Sequence, residues 1–450
     1  MKKIVDIFKN KEIVNRIFFT VIILFIFRVG AAITVPGVTV KDLDLNQNSA
    51  LALMNLLGGG ALQSFSVFAL GVSPYITSSI ITQLLAMDVL PALSELSKQG
   101  EFGRKKKEMT TRYLTLLLGS VQAYGIVRTM ETTSYITLND NGFWNYAYIV
   151  TILVAGAMLV MWLGDQISVK GLGNGISVII FAGIVRSLPL QIQSAYTNWV
   201  ALTVGLETSV FLRGIFQFAI YILAFLLIVA FVTFVEQSKR KIPVQHAGKS
   251  GAGKKYSQAS FLPIKINSAG VIPVIFASSI MMAPSVIISF ISGANTNAEW
   301  LKVFSSSELV TMPWFNGGTW QFPWGLIIYL VLTVLFTFFY SNLQINPQRM
   351  AENFQKNGSY IPGIRPGNET ERYVKKVVNR VTVLGAMALA FIAALPIVLV
   401  LLQVVPDQSL ALGGTGLIIV VGVAIEINNQ INGLLAGKSF DEVTQGGGLR

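Results

Sequence analysis

The sequence predicts an all-α polytopic membrane protein, with ten transmembrane helices in two inverted five-helix halves and a short re-entrant helix. Three observations predict this fold. The 450-residue chain is 53% hydrophobic and only 12% charged, whereas soluble domains carry about 25% charged residues. Ten apolar segments are long enough to cross a bilayer, which takes about 20 residues each. A Gly-Val-x-Pro-x-Ile pattern opens both the second and the seventh segment.

The ten apolar segments alternate with loops whose charge indicates their orientation. If the N-terminus is cytoplasmic, 25 of the 34 Lys and Arg residues fall in cytoplasmic segments and two in outer loops. Lys and Arg accumulate on cytoplasmic loops, and an odd number of spans would destroy this asymmetry. We therefore predict cytoplasmic N- and C-termini. The segments are 14–34, 72–90, 112–130, 146–164, 175–192, 213–235, 267–292, 322–342, 380–402 and 411–431.

The first element is a cytoplasmic amphipathic segment at residues 1–13, where apolar side chains stand among lysines. This pattern is typical of a short helix on the membrane surface. The apolar run that follows is too long for a signal peptide and has no small-residue cleavage site after it. We therefore expect a retained first helix, and its Arg28, about two turns from the outer end, is close enough to extend outward to water.

The next element is an apolar piece, "ALQSFSVFAL" at 61–70, that is too short to cross the membrane. Backbone that enters a bilayer without spanning it needs surrounding protein or a water-filled cavity. The three glycines at 58–60 allow the chain to turn back. We predict a short re-entrant helix that enters from the outer side, with a helix lying on the outer surface as the alternative.

The repeated pattern stands at the start of the second helix of each half, 72–90 and 267–292. Because five is odd, the second half must be inverted relative to the first. Matched Gly/Pro-interrupted segments in inverted halves indicate a pathway between the halves, although small-residue helix packing is the alternative. The matched residues are Gly71, Val72, Pro74 and Ile76 in the first half and Gly270, Val271, Pro273 and Ile275 in the second.

The acidic residues indicate what this pathway does not carry. Proton- and sodium-coupled carriers keep ionisable groups at mid-membrane. Here Asp88, Asp165, Glu236 and Glu426 all fall at cytoplasmic ends of spans. This argues against a coupled carrier, and a secondary transporter with inverted repeats is kept as the alternative function.

Enzyme chemistry has little support in this sequence. The chain has no cysteine and a single histidine, His246, which excludes thiol catalysis and histidine metal clusters. The stretch "GKSGAGK" at 248–254 has the spacing of a phosphate-binding loop, but Lys255 stands where the magnesium-binding Ser or Thr belongs. We expect no enzymatic activity, no cofactor, no metal and no direct nucleotide binding.

The cytoplasmic loops 236–262 and 343–378 are long and basic. Topology signals alone explain their charge but not their length. Presented basic loops suit the docking of a large acidic partner.

Several long strings follow one another in the order of a known family. They are "FALGVSPYI", "KQGEFGR", "KRKIPVQHA", "LPIKINSAGVIPVIFASSI" and "NPQRMAENFQKNGSYIPGIRPG". In these strings the chain resembles the SecY family, the central channel subunits of the bacterial Sec protein translocase, over nearly its whole length. The departure is "QHA" where the family usually shows "QYA", which bears only on the role of His246.

The resemblance implies a clamshell-like protein-conducting channel. Its halves would be 14–192 and 213–431, hinged at the external loop 193–212 and followed by a cytoplasmic tail at 432–450. Unfolded secretory polypeptides would cross between the halves, and hydrophobic segments would leave sideways into the membrane. A plug at 58–71 would close the channel, and the lateral gate would lie between 72–90 and 267–292.

The resemblance also assigns residues to four parts of the channel. The pore ring would comprise Val72, Ile76, Ile176, Ile180, Ile275 and Ile419. The plug would include Gly59, Gly60, Ala61, Leu62, Phe65 and Phe68. The lateral gate would include Pro74, Thr77, Gln83, Asn267, Pro273 and Ser278. Partner docking would use Arg104, Lys105, Arg240, Lys241, Lys254 and Arg365.

The resemblance further implies partners and a location. The partners would be the SecE and SecG subunits, the SecA motor ATPase, the ribosome, secretory and membrane-protein precursors, and membrane lipid. The location would be the bacterial cytoplasmic membrane. ATP hydrolysis or translation by the partners would drive transport, because the channel itself is expected to be passive.

Overall fold

The structure of the protein is a computed structural model, in which most of the chain is helical. The described residues are 7–41, 55, 58–86, 95–96, 99–132, 135–138, 142–203, 208–246, 260–291, 303–304, 309–311, 321–401 and 408–446. The helices are α1 (Lys11–Gly30), α2 (Ser73–Leu85), α3 (Gly100–Thr132), α4 (Phe143–Lys170), α5 (Gly175–Trp199), α6 (Thr208–Gln237), α7 (Ile272–Ile291), α8 (Trp324–Gln344), α9 (Pro347–Lys356), α10 (Asn368–Leu401) and α11 (Gln408–Gly446).

Each predicted apolar segment overlaps one of these helices. Within the described ranges, seven helices are long and apolar enough to cross a membrane: α1, α4, α5, α6, α8, α10 and α11. The shorter α7 contributes an apolar stretch at Ile272–Met281. The all-α class is therefore confirmed, and the count of ten spans stays a prediction.

Helix α3 begins earlier than the predicted span because its polar first turns continue the helix. Lys105 pairs with Glu101 at 3.9 Å and Arg104 pairs with Glu108 at 3.3 Å. Opposite charges four residues apart stabilise exposed helical turns. The predicted span at 112–130 covers only the apolar part of this helix, because the prediction was based on hydrophobicity.

The hinge loop predicted at 193–212 is shorter in the structure, because α5 continues to Trp199 and α6 begins at Thr208. Aromatic side chains pack the end of α5 against the middle of α6. The rings of Trp199 and Tyr221 lie 5.4 Å apart, and those of Tyr196 and Phe218 lie 5.8 Å apart. Pro189 lies inside α5 without ending it.

The segment predicted as a cytoplasmic loop at 236–262 is a β-hairpin in its described part. Strand β3 (Lys239–His246) pairs antiparallel with β4 (Ser260–Lys265), and β7 (Ser359–Tyr360) pairs with the end of β3. Ile242 and Val244 are buried on one face. This alternation of buried and exposed residues is the period of a strand, and the neighbouring basic residues obscured it in the sequence.

The hairpin is packed on the start of α10. An apolar cluster joins the hairpin, the segment after β7 and the first turns of that helix. The loop predicted at 343–378 is therefore largely structured, because it contains α9, β7 and the start of α10. The buried members of this cluster are Ile242, Ile264, Ile361, Val374, Val377, Val378 and Val381.

Short strands and bridges also join segments outside the helices. Strand β1 (Val38–Val40) pairs with β2 (Ile136–Leu138), and β5 (Val310–Thr311) pairs with β6 (Gln321–Phe322). An isolated bridge joins Thr34 and Ser66. The first pair and the bridge tie the chain after α1 to its neighbours.

Candidate functional site

Helices α2 and α7 begin with the same backbone turn. Gly71 has φ 55° and Gly270 has φ 65°, both in the left-handed region that favours glycine. At Gly270 an added Cβ would meet open space. Backbone conformation, rather than crowding, therefore requires the second glycine.

The first hydrogen bonds of the two helices also correspond. Ile76 N–H donates to the carbonyl of Val72 at 3.0 Å, and Ile275 N–H donates to the carbonyl of Val271 at 3.3 Å. A proline follows the first residue of each helix, where its missing N–H has no intrahelical acceptor to lose. The repeat seen in the sequence thus specifies a shared way of starting a helix.

The two helices pack against each other, and both pack against α3. This contact joins the first half of the chain to the second along one side. A second contact between the halves is formed by α5, which packs against α6 and α11. The predicted gate and hinge therefore lie on contacts that the structure contains, while their roles stay predictions.

The six side chains predicted as a pore ring belong to one apolar cluster. Five of them are at most 7% exposed, and Ile176 is half-buried against the same cluster. They come from the starts of α2, α5 and α7 and from the first half of α11. The buried five are Val72, Ile76, Ile180, Ile275 and Ile419.

The predicted plug is not the short helix that its length and hydrophobicity indicated. Residues 58–72 form successive turns. Gly59, Gly60 and Gly71 have positive φ, and Phe65 has φ 43°. Left-handed residues interrupt a right-handed helix, so this glycine-rich stretch folds as a compact coil.

The predicted plug segment, residues 58–71, is deeply packed despite its irregular backbone. Ala61, Leu62 and Phe65 are fully buried and Phe68 is 4% exposed. Phe65 and Leu62 lie in a cluster with α3 and α4, whereas Ala61 and Phe68 lie in the pore-ring cluster. The segment thus contributes to a cluster within the first half and to the pore-ring cluster, which joins both halves.

The end of the plug is tied to the chain that leaves α1. Val35 N–H donates to the carbonyl of Phe65 at 3.0 Å, and Val67 N–H donates to the carbonyl of Ile33 at 2.9 Å. The ring of Phe68 covers Gly30 so closely that an added Cβ would lie 2.1 Å from it. No pattern in the sequence indicated this close approach.

The start of the plug is held by two arginines. Arg28 of α1 and Arg186 of α5 both donate to the carbonyl oxygen of Gly59, at 2.9 and 3.1 Å. This bond holds one nitrogen of the half-buried Arg28 on Gly59, and the reach of Arg28 toward outer water stays a prediction. Charged side chains within membrane spans commonly pair with each other or with backbone carbonyls. An arginine inside a predicted span was therefore the sequence signal for a contact of this kind.

Three polar residues predicted at the lateral gate bond within their own helices. Thr77 donates to the carbonyl of Ser73 at 3.1 Å, Gln83 to the hydroxyl of Ser79 at 3.0 Å, and Ser278 to the carbonyl of Ile275 at 2.9 Å. None of these three hydrogen bonds joins α2 to α7. Pro74 and Pro273 are buried at the two helix starts.

Asn267 differs from the other predicted gate residues. Its side-chain N–H donates to the carboxylate of Glu236 at the end of α6 and to the carbonyl of Gly270 at 3.0 Å. Asn267 is 2% exposed and Glu236 is 7% exposed. This buried pair fixes the turn that starts α7, and sequence reasoning did not connect the two residues.

The predicted docking cations that the structure describes are exposed. Arg104 and Lys105 stand on the first turns of α3, and Arg240 and Lys241 stand on β3. Arg365 lies before α10, where Thr370 donates to its backbone carbonyl at 2.9 Å. Lys254 lies outside the described residues.

Comparisons with known proteins identify the family. The SecY family model matches residues 66–428. Protein translocase subunit SecY of Streptococcus sanguinis is 44% identical over 441 residues, which are 98% of this chain and 98% of the relative. The chain belongs to the SecY family. The resemblance predicted from the sequence strings is thereby confirmed.

Solved structures show the same fold. A structure on the plug domain of SecY and the closed state of the translocation channel has a TM-score of 0.64 at 18% identity, covering 93% of this chain and 91% of that chain. Sec61 in a canine ribosome-channel complex has a TM-score of 0.61 at 16% identity, with the same coverage. Both likenesses concern the fold alone.

The family membership favours one of the two functions kept open by the sequence. The relatives are translocase subunits and the structural neighbours are channels. A channel is therefore supported over a secondary transporter with inverted repeats.

Proposed function

We propose that this chain is the membrane-embedded channel of a protein translocase. Unfolded secretory polypeptides pass between its two halves, and hydrophobic segments leave sideways into lipid between α2 and α7. The observation that carries the proposal is the pore-ring cluster, in which branched apolar side chains from four helices gather. The SecY family match and the channel fold support it.

An apolar ring suits a pathway for polypeptides of any sequence. Branched apolar side chains around a narrow waist exclude water and ions by dewetting. They offer no fixed hydrogen-bond partner to a passing chain, so they yield to any side chain without retaining it. We assign this role to the six predicted residues, which are Val72, Ile76, Ile176, Ile180, Ile275 and Ile419.

The plug closes the same pathway in the resting channel. Its buried apolar side chains are packed among the helices of the first half. Because its backbone is a series of turns, it can leave this position without melting a helix. In one structural neighbour, the plug domain stabilises the closed state of the translocation channel and maintains a membrane seal, which supports the same role here.

The cytoplasmic basic surface docks the partners that supply the driving force. Arg240, Lys241 and Arg365 are exposed on elements joined by one apolar cluster, so they form a fixed surface rather than independent loops. We assign to it the SecA motor and the ribosome, and the ribosome complex of the canine neighbour supports the latter. Arg104, Lys105 and Lys254 would add charge to this face, and SecE and SecG would bind within the membrane.

The topology follows from the same proposal. We assign ten spans in two inverted halves, 14–192 and 213–431, in the bacterial cytoplasmic membrane with both termini inside. The basic loops and the tail at 432–450 then lie in the cytoplasm. The loop between α5 and α6 lies outside and serves as the hinge.

The experiment that tests this function is site-specific crosslinking to a stalled precursor. A photoreactive residue replaces Ile180 or Ile275 in the complete translocase, and a precursor is halted halfway through. We expect both positions to crosslink to the precursor. The matched control is Phe216, which is 67% exposed on α6 and should crosslink to lipid. Crosslinks to the precursor from Phe216 and none from the ring would reject the pathway.

A further inference from the structure

Two cations converge on one backbone oxygen at the start of the plug. The Nη1 atoms of Arg28 and Arg186 lie 2.9 and 3.1 Å from the carbonyl oxygen of Gly59. Because they share this acceptor, the two nitrogens lie within about 6 Å of each other. Like charges at that distance repel, and partial exclusion of water strengthens the repulsion.

Neither arginine forms an ion pair with a carboxylate within the described part of the chain. The ion pairs found there use other cations, which are Arg16, Arg104, Lys105, Arg112 and Arg128. The carbonyl of Gly59 is therefore the group that holds the two guanidinium groups together. A hydrogen bond from a charged donor is roughly twice as strong as a neutral one.

The two glycines next to this oxygen leave space for Arg186 and for the backbone of α5. An added Cβ on Gly60 would lie 2.4 Å from Nη1 of Arg186, and one on Gly59 would lie 3.0 Å from the backbone of Gly183 in α5. Both glycines have positive φ. The turn thus brings its backbone against α5 and leaves the space that the guanidinium occupies.

The rest of the plug is held by a different kind of contact. Residues 64–68 are tied to residues 31–35 by backbone hydrogen bonds and by the Ser64 hydroxyl, which donates to the carbonyl of Ala31 at 3.1 Å. The ring of Phe68 stacks on that of Phe27, with centroids 5.8 Å apart. These contacts do not depend on charge.

We propose that Arg28 and Arg186 form a shared latch, which holds plug residues 58–63 in the closed channel while residues 64–68 stay tethered to the end of α1. The inference rests on the proposed function, since a latch matters only if this segment closes a channel. Because the two cations compete for one acceptor and repel each other, either one alone can hold the plug. Removing both releases residues 58–63.

The first readout is ion leakage through resting proteoliposomes that contain the full translocase. We expect Arg28→Gln and Arg186→Gln each to raise the leak by about twofold, and the double variant to raise it by about tenfold, more than the product of the single effects. The matched control is Arg213→Gln, an exposed arginine at the start of α6, which should leave the leak unchanged.

The second readout is thiol labelling, for which the cysteine-free chain provides a silent background. Ala61 lies in the latched part and Ala69 directly follows the tethered residues 64–68, and the two alanines are 0% and 1% exposed. In the double arginine variant, we expect a water-soluble thiol reagent to label Ala61→Cys about tenfold faster while labelling of Ala69→Cys stays unchanged. The two alanines serve as controls for each other.

The outcomes separate the latch from the proposed function. Unchanged labelling of Ala61→Cys, or leak effects that simply multiply, would reject the shared latch. Equal acceleration at both alanines would reject the division into latched and tethered parts. If the wild-type channel translocates a precursor while the variants show no effect, the latch alone fails. If labelling responds but no precursor crosses, the channel function alone fails.

Discussion

The starts of α2 and α7 have the same turn but very different surroundings. Each helix follows a left-handed glycine and receives its first hydrogen bond at a valine carbonyl. Before Gly71 the chain is the predicted plug segment, which is held by arginines and apolar packing. Before Gly270 it is the β-hairpin, which is fixed by the buried pair of Asn267 and Glu236.

This difference indicates which half of the chain can change its conformation next to the contact between α2 and α7. The segment before α2 is held by one shared carbonyl at its start, by apolar packing and by a few backbone hydrogen bonds between turns. The approach to α7 rests on a strand pair and on a buried carboxylate with a defined partner. We infer that the first half carries the movable closure, while the second half supplies a fixed frame that includes Arg240, Lys241 and Arg365, which we propose for docking.

The largest expected loss of stability follows from breaking the buried pair of Asn267 and Glu236 in the second half. Asn267→Ala leaves the buried carboxylate of Glu236 without this partner, and we expect it to destabilise the protein by about 2–4 kcal/mol. Thermal unfolding of the detergent-solubilised protein measures this change. The control is Ser268→Ala, which removes only a local bond to the carbonyl of Lys265 and should cost about 1 kcal/mol or less.

A second variant tests the cause of that loss. Because the penalty comes from an unpartnered charge, Glu236→Gln in the Asn267→Ala background should recover part of the stability. If Asn267→Ala lowers the free energy of unfolding no more than Ser268→Ala does, this pair does not fix the second half. The inferred contrast between a movable first half and a fixed second half would then be wrong.

A smaller effect is expected at the tether of the plug. Gly30→Ala places a Cβ 2.1 Å from the ring of Phe68, so the ring must move, at a cost of about 1–3 kcal/mol. We expect a lower unfolding midpoint and a raised ion leak. Phe68→Leu in the same chain removes the clashing ring edge and should restore part of both. A leak that stays at the wild-type value would contradict a role of this contact in closure.

The smallest effects are expected at the two matched glycines. Alanine in a left-handed conformation costs about 1–2 kcal/mol, so Gly71→Ala and Gly270→Ala should each lower the unfolding midpoint by a similar amount. Gly270→Asn should cost less than Gly270→Ala, since asparagine tolerates this region better. Strongly unequal effects of the two alanine variants would show that the two turns are not equivalent.

Much of this architecture could be predicted from local signals. Apolar segments and loop charge indicated the helices, and the repeated glycine and proline indicated the shared start of α2 and α7. The hairpin was missed because Lys and Arg interrupt the alternation around Ile242 and Val244. The helical plug was wrong, since hydrophobicity does not reveal the positive φ of Gly59, Gly60 and Phe65.

Contacts between distant parts of the chain could not be predicted in this way. The bond from Asn267 to Glu236 spans 31 positions, and that from Arg186 to Gly59 spans 127. Each residue looked ordinary in its own segment, as a gate-lining amide, a helix-end acid or a cation in a span. Only the packing of α1, α5 and α6 brings these groups to their partners.

The proposed channel opens a pathway between the halves when α2 and α7 move apart. The most direct test is the distance between spin labels at Thr77→Cys and Ser278→Cys, measured at rest and with a stalled precursor. We predict an increase of about 10 Å, the diameter of a helix with its side chains, while a pair at Ser120→Cys and Thr151→Cys within the first half stays constant. An unchanged gate distance in the presence of bound precursor would contradict the account.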